Sequence, residues 1–125
     1  MKIALSSPDG TLESEIAQRF GRCPAFLLVD PETMNAEALD NSNAQARGGA
    51  GIQAAQQLAQ AGVDAVITGN IGPNAFQTLQ AAGIDIYIGA SGPALDVIQR
   101  YKNGELEKAT GASVGSHFGM SGRQR

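Results

Sequence analysis

Two strand-to-helix turns of the same form, twenty residues apart, dictate most of what this chain can become. Ile67-Thr68-Gly69-Asn70-Ile71-Gly72-Pro73 and Ile86-Tyr87-Ile88-Gly89-Ala90-Ser91-Gly92-Pro93 both read as a short apolar strand, Gly-x-x-Gly-Pro and then a helix. Proline suits the first helical position because its missing N–H would have no intrahelical partner there. Strands that alternate with helices in this way become parallel neighbours joined by right-handed crossovers. Two copies cannot build a solenoid, so the repeat marks two turns within one α/β sheet.

The rest of the chain extends that sheet. Lys2 to Ser6 reads as a first strand, stopped by the turn signal Ser7-Pro8-Asp9-Gly10. Thr11 to Phe20 alternates poorly; its acidic residues and the Ile16/Phe20 spacing predict a short helical turn. Phe26 to Asp30 and Met34 to Leu39, joined by Pro31-Glu32-Thr33, form an antiparallel hairpin. Asp40 to Arg47 is a polar loop. Ala50 to Ala61 is a helix with Ile52, Ala55, Leu58 and Ala59 as its apolar stripe. Phe76, Leu79 and Ala82 face inward on the second helix; Leu95, Val97, Ile98 and Tyr101 are the apolar set of the third. Residues 1–108 read as one domain, and 109–125 as a flexible tail rich in Gly and Ser.

Net charge is −3 over 125 residues, which argues against a nucleic-acid-coating surface. No apolar run approaches the ~20 residues of a membrane-spanning helix. A single cysteine cannot make an internal disulfide, and the first five residues turn polar too soon for a signal peptide, so a cytoplasmic protein is expected.

Chemistry is expected where strand ends and helix starts converge. Ligands of open α/β sheets favour the crevice beyond the carboxyl ends of the strands. Gly72 and Gly92 stand before helices whose first-turn amides attract anions, with Asn70 and Ser91 in the same loops. Arg47-Gly48-Gly49 leads into the first long helix by the same logic and adds a guanidinium. A second guanidinium lies in Phe20-Gly21-Arg22-Cys23, which also holds the only cysteine. A thiolate is a soft metal ligand, and its pKa falls beside a fixed positive charge. Cys23 is thus either a direct ligand or a packing residue beneath the pocket. His117, near Met120, is a solvated tail histidine or an accessory metal contact. Two such residues cannot make a closed zinc site, and the nucleotide-binding glycine motifs are absent.

The order and spacing of Lys2-Ile3-Ala4-Leu5, Phe20-Gly21-Arg22-Cys23, Asn41, Gly49-Ala50-Gly51, Val63 to Gly69, Ile71-Gly72-Pro73, Ala82-Gly83-Ile84 and Tyr101-x-x-Gly104-x-Leu106 carry a resemblance. The chain resembles the dinitrogenase iron–molybdenum cofactor biosynthesis family of the small NifX/NifB C-terminal type, which includes the orange proteins. The resemblance implies a ribonuclease-H-like three-layer fold, a five-stranded mixed sheet of order 3-2-1-4-5 with helices on both faces. It also implies non-enzymatic binding, storage or carriage of an anionic metal–sulfur cluster, or of its precursor, of Fe–Mo–S or Mo–Cu–S type. Cluster donor and acceptor proteins are the implied partners, with neither nucleic acid nor membrane among them, and the protein is expected as a monomer or weak dimer. A rival reading is a small anion- or nucleotide-binding module without metal. A nuclease is disfavoured, because the first strand carries no carboxylate to hold two metal ions.

Overall fold

The computed structural model describes residues 1–42, 44 and 49–112. Five strands form one sheet: β1 (Ile3–Ser7), β2 (Ala25–Val29), β3 (Ala36–Asp40), β4 (Ala65–Ile67) and β5 (Asp85–Tyr87). Their order is β3-β2-β1-β4-β5, the order that the family resemblance implies. β1 pairs antiparallel with β2 and β2 with β3, whereas β1–β4 and β4–β5 are parallel. The helices are α1 (Ala50–Gln60), α2 (Pro73–Ala81) and α3 (Ala94–Lys102).

Strand alternation divides the core into two layers. Ala4, Phe26, Leu28, Val66 and Ile86 face α1 and α2, which contribute Ala54, Ala55, Leu58, Phe76 and Leu79. Ile3, Leu5, Leu27, Val29, Ala65 and Ile67 face the other way and meet Ala94, Val97 and Ile98 of α3. β1, β2 and β4 are buried along their whole length because both faces are covered.

The stretch from Thr11 to Phe20 is not the expected helical turn. It crosses the carboxyl ends of the parallel strands as an extended strap. Ala17 N donates to Ser6 O at 2.8 Å, Ile16 N to Gly92 O at 3.0 Å, Asn70 N to Gln18 O at 2.7 Å and Phe20 N to Asn70 O at 3.0 Å. Ile16 and Phe20 consequently enter opposite core layers. A helix would satisfy these amides internally; here the neighbouring loops satisfy them instead.

Three side chains assigned to helix interiors lie elsewhere. Ala82 and Leu95 are exposed, and Ile52 is half-buried. Nor are the two Gly-x-x-Gly-Pro turns copies in conformation: Gly72 is extended (φ −84, ψ 172), whereas Gly92 has φ +98. The chain also stays on the sheet past residue 108. Lys108 bridges to Tyr87, Ala109 N donates to Ile86 O at 2.7 Å, and Lys108 pairs with Asp85 at 3.0 Å.

Candidate functional site

A cleft of about 530 Å³ opens at the carboxyl end of the sheet, on the α1/α2 face. One wall is Arg19-Phe20-Gly21-Arg22; the other two are the starts of α1 (Gly49 to Ile52) and α2 (Gly72 to Ala75), with Asn70 between. The strap and the loop that carries Asn70 are each anchored by an apolar side chain. Phe20 packs on Phe26 with ring centroids 5.4 Å apart, and Ile71 is 1 % exposed in the same core layer. Asn70 is fixed from both sides by its backbone bonds to the strap.

The helix starts are brought together by missing side chains. A Cβ on Gly21 would lie 2.9 Å from Gly51 Cα, and one on Gly51 would lie 3.2 Å from Ala75 Cβ. Neither α1 nor α2 has a side-chain cap or an acidic residue in its first turn. Both helices run from the carboxyl end of the sheet, so their positive ends stand side by side. Parallel dipoles so placed repel, and an anion between them relieves the repulsion. Arg19 and Arg22 add two guanidinium groups, and among the described residues no carboxylate, thiol or imidazole lines the cleft. A chain of net charge −3 thus holds a locally positive pocket.

Among the residues expected at the site, Arg22, Gly49, Asn70 and Gly72 do meet here. Gly92 and Ser91 do not line the cleft. α3 packs on the opposite face of the sheet, and its start is already answered by Ser14 O, which accepts from Ala94 N at 2.9 Å, and by Asp96 in its first turn. Ser91 O accepts a hydrogen bond from Arg100 Nη2 at 2.6 Å. Arg47, Gly48 and His117 lie outside the described residues. Arg19, Asn74 and Ile52 were missed. Arg19 could have been found as a second guanidinium three positions before Arg22; Ile52 was assigned to the core because helical periodicity does not say where a helix overhangs a cleft.

Cys23 lies behind the wall, 2 % exposed, and is absent from the cleft lining. Burial pushes its thiol above the ordinary value, outweighing the surrounding backbone and Asn41 donors that favour the thiolate. The lowering expected from Arg22 is not found. That guanidinium points elsewhere, its Nη1 donating to Ala44 O at 2.9 Å. The sign for stability follows. An unfolded thiol ionises near pH ~8.5, so the contribution of Cys23 is complete below that value and is lost as pH rises toward the folded thiol's higher value. Denaturant midpoints measured at pH 7 and at a pH about one unit above the free thiol value should fall more in wild type than in Cys23→Ala. Equal falls would refute the buried, protonated thiol. Among the described residues no group of three or more His, Cys, Asp or Glu side chains is placed to hold a metal ion. No helix of the described residues is long and apolar enough to cross a membrane.

Residues 1–104 match the pattern that defines the dinitrogenase iron–molybdenum cofactor family. The chain belongs to that family. Among solved structures, the apo form of the orange protein from Desulfovibrio gigas is 40 % identical with a TM-score of 0.86, covering 89 % of this chain and 94 % of that one. A NifB-like protein from Thermotoga is 36 % identical with a TM-score of 0.74, covering 86 % and 91 %. An uncharacterised protein of Methanocaldococcus jannaschii is 34 % identical over 111 residues, 86 % of this chain and 91 % of the relative. For this member of the dinitrogenase iron–molybdenum cofactor family, the match spans both helix starts and the strap that form the cleft.

Proposed function

We propose that the cleft binds an anionic metal–sulfur cluster, or a thiometallate precursor of one, as cargo to be stored or passed on, and that the protein is not an enzyme. The observation that carries this reading is the lining: two guanidinium groups and two helix starts without side-chain caps, with no carboxylate among the described residues there. Membership of the dinitrogenase iron–molybdenum cofactor family supports a metal–sulfur cargo, for which we take iron–molybdenum and molybdenum–copper sulfides as the candidates. The lining also fits such cargo chemically. With no thiol or imidazole facing the cleft among the described residues, these would hold a cluster intact through its sulfides, by N–H donors and charge, and not through a bond from protein to metal. Cys23 then packs the wall and is not a ligand.

The strand order is consistent with a ribonuclease-H-like arrangement, yet β1 carries no carboxylate, so hydrolysis by two metal ions lacks its first ligand. A metal-free oxyanion such as phosphate is the second reading, favoured by the purely N–H character of the donors.

Anaerobic reconstitution separates the two. The full chain is mixed with tetrathiomolybdate, alone and with cuprous ion, and with ferrous ion and sulfide, then freed of unbound metal by gel filtration. Visible absorption should travel with wild type and with Cys23→Ala alike. In Arg22→Gln it should be weaker by roughly ten- to a hundredfold in affinity, the loss usual for one charge-assisted hydrogen bond. Folded wild type that stays colourless with every metal, while phosphate binds, would transfer the cleft to the second reading.

A further inference from the structure

The wall of the cleft is held by a residue that never reaches the cleft surface. Asn41 follows β3 directly and is 5 % exposed. Its Nδ2 donates to Gly21 O at 3.0 Å and to Cys23 O at 2.8 Å, the two carbonyls that flank Arg22. Its main-chain N donates to Pro24 O at 3.0 Å, and its own carbonyl accepts from Ala44 N at 3.2 Å. The turn so closed presents Ala44 O to Arg22, whose Nη1 donates to it at 2.9 Å. One buried amide therefore sets both the backbone on either side of Arg22 and the acceptor on which its guanidinium leans.

We propose that Asn41 is a positioning residue for anion binding, acting through Arg22 by holding the guanidinium ready at the rim of the cleft. This inference rests on the anion-binding reading above. An arginine side chain has many rotamers to lose on binding, and a planar fork already seated on an acceptor loses fewer. Without Asn41, Gly21 and Cys23 present buried carbonyls lacking their shared donor, the segment shifts to rehydrate them, and Arg22 loses its mount.

A double-mutant cycle tests this, with tetrathiomolybdate as the probe and its visible spectrum as the readout. Wild type, Asn41→Ala, Arg22→Gln and the double variant are titrated as full chains, their folding checked by circular dichroism. Asn41→Ser, which keeps one donor, is carried through the same cycle in case Asn41→Ala does not fold. Loss of Asn41 should weaken binding about tenfold when Arg22 is present and less than about twofold when it is Gln, because the two act as a unit. A purely structural role would lower affinity by the same factor in both backgrounds, and that result overturns the inference while leaving the anion reading intact. Failure of folded wild type to bind the probe overturns the thiometallate reading and this inference with it.

Discussion

Replacing Gly21 with alanine should lower the thermal midpoint by about 10 °C, the equivalent of roughly 2–4 kcal/mol in a domain of this size. Two costs combine. Gly21 has φ +92, where a side chain is strained, and its Cβ would meet Gly51 Cα at 2.9 Å and Gly51 N at 3.2 Å. The opposing atoms are backbone in the first turn of α1, so they cannot swing aside as a side-chain tip would. Relief has to come from moving the start of α1 away from the strap, which spreads the two helix starts that give the cleft its positive field. The same variant should therefore lose affinity for tetrathiomolybdate while keeping Arg22. Calorimetry together with the spectroscopic titration checks both effects. An unchanged thermal midpoint would show that the strap and α1 are not in contact as described.

Gly69→Ala should cost a similar amount, roughly 2–4 kcal/mol, for a different reason. The backbone at Gly69 is not in a left-handed conformation; the problem is proximity. A Cβ there would stand 2.8 Å from the main-chain oxygen of Gln18 and would also collide with the Gln18 side-chain amide. The amide could rotate away, but the oxygen is held by Asn70 N at 2.7 Å. The strap would have to lift from β4, breaking the bonds on both sides of Asn70. Chemical denaturation should show a lower midpoint, and hydrogen exchange should show faster exchange at Asn70 and Phe20, whose amides make those bonds. Gly49→Ala is a useful contrast. Its Cβ would meet none of the described residues within 4 Å, so its φ of +74 should be the main cost.

These variants show where sequence patterns stop being informative. The three helices and the hairpin were legible because apolar periodicity and Gly/Pro punctuation are local and act over a few residues; the strand order came only with the family resemblance. The cleft was legible in part for the same reason: Gly72 before Pro73 and Gly49 before Ala50 mark helix starts wherever they occur. Thr11 to Phe20 was misread as helical because its backbone partners, Ser6, Asn70 and Gly92, are distant in sequence. Its conformation is set by what it crosses and not by its own side chains. Of the two roles left open for Cys23, ligand or packing residue, the one that needed a thiol acidified by Arg22 lacks its cause, because adjacency in sequence does not place the guanidinium beside the sulfur. The two residues lie in a turn after Gly21, whose φ is +92, and the turn sends their side chains different ways. Arg22 is exposed at the cleft, while Cys23 is sealed in the core.

The two Gly-x-x-Gly-Pro turns summarise the division. Sequence by itself determined that each ends a strand and opens a helix, since glycine and proline impose this locally. Only the tertiary structure decided that one turn borders the cleft between α1 and α2 and the other is closed by its own chain. α2 lies beside α1, so two positive helix starts share one space. α3 lies on the opposite face, where Ser14 and Asp96 already answer its start. Which side of the sheet a helix takes is a property of the crossover and of the core it seals, and no four-residue motif carries that information.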